Sequence, residues 1–272
     1  MSRRLMASAS NPIGIFDSGI GGLTVLKALR EKLPHENFLY LGDTARIPYG
    51  TKSPQTIKKY LEQNLKYLAK QNVKAVVIAC NSASSVAEEI NFSLPIYDVI
   101  SPGSRLAVEA SKACRIGVIA TKATVLSKSY VTHIQKIKPH VQVYQQASSL
   151  LVPLVEEGWD DDPVTNLIVY RYISPLLKEN IDTLVLGCTH YPILKPAIRK
   201  VVGANVTLID SGFALAKKLT EDLQQGVIMA NSKDLTGEIR LLTTDSSDTF
   251  QANAKRIMLP LEIKPLEIVD IN

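Results

Sequence analysis

Cysteine is scarce in this chain, with three among 272 residues (Cys80, Cys114 and Cys188), all far apart. That spacing excludes a disulfide framework and a compact zinc site, and it fits a reducing cytoplasm. Long apolar runs are missing too, and no stretch approaches the roughly 20 apolar residues that span a bilayer. The opening segment, Met1 to Ser10, carries Arg3 and Arg4 but no continuous apolar core, so a frayed tail is expected rather than a signal peptide. Lys and Arg outnumber Asp and Glu by 31 to 26, for a net charge of +5, yet basic residues never run beyond pairs such as Lys58-Lys59 and Lys217-Lys218. A stripe for nucleic acid is therefore lacking, and neither nucleic acid nor a membrane is an expected partner. The mild positive bias suits a small anionic substrate. Nucleotide loops are absent as well. No Gly-Lys-Ser/Thr phosphate loop occurs, and Gly19, Gly21 and Gly22 fall short of a dinucleotide fingerprint because Thr24 stands in place of the third glycine. No nicotinamide cofactor is expected.

What is present is an alternation of short apolar runs with helical periodicity. Ile13–Phe16 reads as a buried strand that leads into the turn Asp17-Ser18-Gly19-Ile20-Gly21-Gly22, and Leu23, Leu26, Leu29 and Leu33 then recur at helical spacing. Phe38–Leu41 is a second strand. Ile57, Leu61, Leu65 and Leu68 mark a helix face, and Ala75–Ala79 a third strand. Strands apolar on both faces and separated by helices belong in parallel sheets.

The pattern then repeats. Arg115–Thr121 resembles Pro12–Ser18, and Ile181–Cys188 resembles Val73–Cys80; Ile13 to Ile116 is an offset of 103, and Cys80 to Cys188 one of 108. Two similar strand ends at nearly one offset suggest duplication. The predicted fold is α/β, with two pseudo-symmetric doubly wound lobes whose mainly parallel sheets face a shared cleft. Residues 1–100 and 211–272 would form the first lobe, with a tail strand at Ile239–Thr243 and a helix near Phe250–Ile257. Residues 101–210 would form the second.

Cys80 and Cys188 each stand where a strand ends and a helix is expected to begin. Free N–H groups there favour a thiolate and a bound carboxylate. Each is followed by small polar side chains, Asn81-Ser82 and Thr189-His190. Taken singly, either could be a small buried hydrophobe; their matching place in the repeat argues for chemistry. Inverting a stereocentre by proton transfer needs a base on one face of a carbon and an acid on the other, and a thiolate–thiol pair supplies both. Asp17 reads either as a helix cap or as a polar partner for Cys80 or a substrate ammonium. His190 could orient or share the proton of Cys188. Cys114 keeps a structural reading, and His35, His133 and His140 are read as surface residues in polar connectors.

On five segments the chain resembles the glutamate racemase family: Ile15–Val25, Tyr40–Gly50, Val77–Ala83, Val152–Glu156 and Leu184–Pro192. The resemblance implies a PLP-independent racemase that needs no cofactor or metal and interconverts L- and D-glutamate. It also implies a cytoplasmic homodimer supplying D-glutamate for peptidoglycan, cell-wall biogenesis and cell shape. Carried over by position, Cys80 would take the proton from D-glutamate and Cys188 from L-glutamate. Asp17 would assist Cys80; His190, with Glu156 nearby, would assist Cys188. Asp17, Ser18, Pro48, Tyr49, Gly50, Asn81, Ser82, Thr121, Thr124, Thr189 and His190 would hold the substrate. Two positions depart from the family pattern. Ser82 replaces the usual threonine but keeps its hydroxyl, and Ser148-Ser149 stands where Cys-Pro is common, implying altered packing only.

Three other readings remain at this level. Aspartate could be the substrate instead. A cysteine hydrolase could use one thiol with His190, which leaves the second thiol without a role. A binding protein on the same scaffold would need neither thiol.

Overall fold

Consecutive apolar residues with no polar alternation need cover on both faces, and the central strands here receive it. The computed structural model describes residues 8–246 and 248–271, so the beginning of the Met1–Ser10 segment lies outside the described residues. The first sheet contains β1 (Ile13–Asp17), β2 (Phe38–Gly42), β3 (Ala75–Ile78), β4 (Ile96–Asp98), β9 (Ile239–Thr243) and β10 (Glu267–Ile268). Its order is β10-β9-β2-β1-β3-β4, and every pairing is parallel. The second sheet contains β5 (Arg115–Ala120), β6 (Gln142–Ala147), β7 (Thr183–Gly187) and β8 (Thr207–Asp210), in the order β6-β5-β7-β8 and again parallel throughout.

Helices join and cover these strands: α1 (Leu23–Lys32), α2 (Pro54–Lys70), α3 (Asn81–Ser84), α4 (Ile100–Ala110), α5 (Lys122–Ser127) and α6 (Ser129–Ile137). They continue as α7 (Leu151–Glu156), α8 (Pro163–Leu177), α9 (Lys195–Val202), α10 (Ser211–Gln224) and α11 (Asp248–Met258). Strand pleating sorts the core. Ile13, Ile15 and Val77 pack with Leu23, Leu26 and Leu29 of α1, Leu215 and Leu219 of α10, and Met258 of α11. Phe16, Val76 and Ile78 point the other way, onto Ile57, Leu61, Leu65 and Leu68 of α2. Each such side chain, fully buried, contributes roughly 1.5–3 kcal/mol. In the second sheet, Leu184 and Leu186 meet α8 and α9, whereas Ile116, Val118 and Val185 meet α4 and α6.

The register reproduces the repeat read from sequence. Ile13 on β1 faces Ala75 on β3, and Ile116 on β5 faces Thr183 on β7. Cys80 stands five residues after Ala75, and Cys188 five after Thr183, so both thiols occupy the same place relative to their sheets. The tail returns as expected: Ile239 pairs with Phe38 on β2, and α11 packs against α1.

The helix after Asp210 runs to Gln224 because Ala214, Leu215, Ala216, Leu219 and Leu223 keep a helical apolar face against α1. Asp210 caps its start, accepting from the N–H groups of Gly212 (2.9 Å) and Phe213 (3.2 Å). His133 lies within α6 rather than in a connector, half-buried and 3.2 Å from Glu88.

Candidate active site

The residues just past the ends of β1, β3, β5 and β7 converge on one cavity of about 300 Å³. Parallel sheets place their ligand sites at such carboxyl ends. Of the residues expected from sequence, Ser18, Pro48, Tyr49, Gly50, Cys80, Asn81, Ser82, Thr121, Glu156, Cys188, Thr189 and His190 line it. Asp17 and Thr124 do not. Asp17 is fully buried behind Ser18, with Oδ2 accepting from the Gly19 N–H at 2.9 Å. Thr124 is buried behind Thr121, hydroxyl to hydroxyl at 3.0 Å. Both belong to a supporting layer. The wall also includes Ile47, Thr51, Ser149, Val152 and Pro153. A larger cavity, about 510 Å³, opens between α4, α6 and α10, but neither Cys80 nor Cys188 lines it.

The two thiols face this cavity in different electrostatic settings. Cys80 follows β3 and donates to Ser18 Oγ at 3.4 Å. Burial and the charge of Asp17 push its pKa up to about 12, so at neutral pH it is a thiol. Cys188 Sγ lies 3.7 Å from His190 Nδ1, and His190 Nε2 lies 3.0 Å from Glu156 Oε1. Burial works against charge on His190, yet the sulfur and the carboxylate outweigh it and raise its pKa to about 10. An imidazolium between a sulfur and a carboxylate is therefore the expected form at neutral pH. Asp17 is raised by burial, against the Gly19 hydrogen bond and the attraction of His190, and its Oδ1 has no hydrogen-bond partner.

Close approach of the two lobes depends on missing side chains. A Cβ on Gly21 would lie 2.3 Å from Thr189 Oγ1 and 2.4 Å from His190 Nδ1. One on Gly50 would lie 2.8 Å from Thr121 Cβ. Thr24, which breaks the dinucleotide pattern, ties the lobes together instead, its hydroxyl donating across the cleft to Thr189 O at 2.8 Å.

Further side chains support these walls, and Tyr130, Asn64 and Thr244 among them escaped sequence reading. Tyr130 donates its hydroxyl to Asn81 Oδ1 at 2.7 Å, which leaves the buried Asn81 Nδ2 without a partner on the cavity wall. An unsatisfied buried donor is costly unless a ligand takes it up. Asp43, fully buried, accepts from Arg46 (2.7 Å), Asn64 (3.2 Å), Thr244 (3.2 Å) and the hydroxyl of Tyr49, and so fixes the Pro48–Gly50 loop. Ser82 Oγ lies 2.8 Å from Thr121 Oγ1, so the hydroxyl retained at position 82 bridges the lobes. Ser148 bonds Tyr191, and Ser149 accepts from the Lys122 N–H at the rim. Partners contributed by distant elements leave no local pattern to read. Cys114 lies just before β5, half-buried against the second-sheet core and away from the cavity.

Residues 22–219 match the Asp/Glu/Hydantoin racemase family. The glutamate racemase of Syntrophus aciditrophicus is 47% identical over 251 residues, covering 91% of this chain and 93% of that one. The chain belongs to the glutamate racemase family. It is accordingly an isomerase. Crystal structures agree: glutamate racemase from Francisella tularensis in complex with D-glutamate superposes with a TM-score of 0.89 at 39% identity, covering 97% of this chain and 99% of that one. The racemase isoform RacE1 of Bacillus anthracis gives 0.91 at 36% identity, covering 97% and 98%. Among the described residues no His, Cys, Asp and Glu cluster suited to a metal ion occurs, and no helix is long and apolar enough to cross a membrane.

Proposed function

We propose that this racemase interconverts L- and D-glutamate by passing a proton between Cys80 and Cys188, without PLP or metal, and that its D-glutamate serves peptidoglycan synthesis. The single observation that carries this reading is that two thiols at equivalent strand ends line one cavity. The Francisella relative's complex with D-glutamate supports the choice of substrate.

In the direction from L-glutamate, the Cys188 thiolate takes the α-proton, with the His190 imidazolium, held by Glu156, beside its sulfur. The Cys80 thiol then donates its own proton to the opposite face. The products are D-glutamate, a Cys188 thiol and a Cys80 thiolate, so atoms and charge balance, and the reverse turnover restores the start. Asn81 Nδ2 and the hydroxyls of Ser18, Ser82 and Thr189 are suited to the substrate carboxylates, and the Asp17 carboxylate behind Ser18 to the field of the α-ammonium. Sulfur and α-carbon need roughly 3–3.5 Å in the near-attack geometry. The proposal extends to the division of the chain into residues 1–100 with 211–272 and residues 101–210, and to a cytoplasmic homodimer.

Incubation with L-glutamate in deuterated water tests it. Optical rotation should decay to zero while one α-deuterium enters each inverted molecule, and D-glutamate should behave alike. L-Aspartate should turn over far more slowly; faster turnover of aspartate, or inversion that retains the original α-hydrogen throughout, would contradict the assignment.

A further inference from the structure

The carboxylate of Glu156 reaches His190, yet Glu156 is the last residue of a six-residue helix containing Pro153. The last carbonyls of any helix lack partners within it. Here those of Val155 and Glu156 are met by α11, a helix packed on the other lobe, Val155 O also accepting from the Gly158 N–H at 3.0 Å. Asn253 Nδ2 donates to Glu156 O at 2.6 Å, and Arg256 Nη2 donates to Val155 O at 2.7 Å. The same guanidinium fixes Asn253, bonding its Oδ1 from Nη2 (2.9 Å) and Nε (3.2 Å), and pairs with Asp160 through Nη1. The planar fork of Arg256 thus spans the turn that follows α7, which a flexible ammonium could not do. Asn253 is nearly buried, and the Glu156 side chain stays about a third exposed between two cavities, so its backbone is the part that is anchored.

We propose that Asn253 and Arg256 are positioning residues for proton transfer at Cys188, acting by clamping the backbone of Glu156 so that its carboxylate meets His190. The inference rests on the Glu156–His190–Cys188 reading given above. The titratable groups facing His190 are Cys188 on its own segment, Glu156 from α7, and Asp17 from the end of β1 across the cleft. Of these, Glu156 alone is held by α11. A displacement of about 1 Å remote from the chemistry can cost on the order of 100-fold in rate. Loosening the clamp should also withdraw support from the imidazolium, which lowers the pH at which it loses its proton.

The test is the pH dependence of kcat/KM for racemization in the full-length wild type, Arg256→Met, Asn253→Ala and Glu156→Gln, with circular dichroism to verify folding. The wild type should lose activity on an alkaline limb, and Glu156→Gln should move that limb to lower pH. Arg256→Met and Asn253→Ala should move it in the same direction, with kcat/KM at neutral pH reduced about tenfold or more. If Glu156→Gln shifts the limb and neither α11 variant does, the clamp is refuted and the relay stands. If Glu156→Gln leaves the limb in place, the relay reading fails and the clamp with it. Should Arg256→Met fail to fold, Asn253→Ala decides alone.

Discussion

At the scale of single residues, the site owes its character to the unequal surroundings of two like groups. Cys80 is buried beside an aspartate and held as a thiol, with a pKa pushed up to about 12, while Cys188 shares a histidine with Glu156. In the proposed mechanism one sulfur gives a proton and the other takes one. Because His190 titrates at about 10, its proton is present throughout the neutral range and leaves as pH rises through that value. A kcat/KM profile that is flat in the neutral range and falls on approaching pH 10 is therefore predicted, measurable by polarimetry. The stability contribution has the same sign. A raised histidine pKa stabilises the fold fully below the unfolded value near 6.5, and that contribution is lost as pH rises through 10. Tyr130→Phe removes one hydroxyl, frees the Asn81 amide to turn, and should raise KM for glutamate about tenfold with a smaller change in kcat, since the bond positions a ligand donor and no reacting proton.

At the scale of elements, what matters is how closely the turns after β1 and β7 approach. Gly21→Ala would place a methyl group against the Thr189 and His190 side chains at distances no carbon occupies, so those side chains must be displaced. We predict at least a tenfold loss of kcat/KM, with stability lowered by about 1–3 kcal/mol in urea titration. Elements differ sharply in how far sequence reveals them. β1, β2, β3 and β7 are buried along their whole length and read directly as strands, and β9 breaks its apolar run only at the exposed Arg240 and the terminal Thr243. β6, Gln-Val-Tyr-Gln-Gln-Ala, is an edge strand only partly covered, so its polar residues break the signal. β4 and β10 are too short to show any period. The thiols and their polar followers were legible because the repeat marks them. Asp17, the last residue of β1, and Thr124, in α5, stand one layer back from the cavity. Tyr130, Asn253 and Arg256 reach the site from distant helices, and a helical pattern says nothing of what its side chains will meet.

At the scale of the whole molecule, long-range stitching holds the returning tail to the first sheet. Lys74 and Glu36 form a buried ion pair at 2.5 Å, Lys74 also donates to Met229 O at 2.8 Å, and Glu36 accepts from the Asn231 N–H at 2.8 Å. Lys74→Met would strand a buried carboxylate and should cost about 3–5 kcal/mol in urea unfolding. Activity per folded molecule should be unchanged, since neither residue lines the cavity. The same architecture sets two equivalent strand ends across one cleft, and the central claim is that both sulfurs act in every turnover. Steady-state racemization of Cys80→Ser and Cys188→Ser, followed from each enantiomer by circular dichroism, tests it most directly. Each variant should lose activity from both enantiomers by about 10²–10⁴-fold, the range of a displaced acid or base. Wild-type turnover in either variant would contradict it.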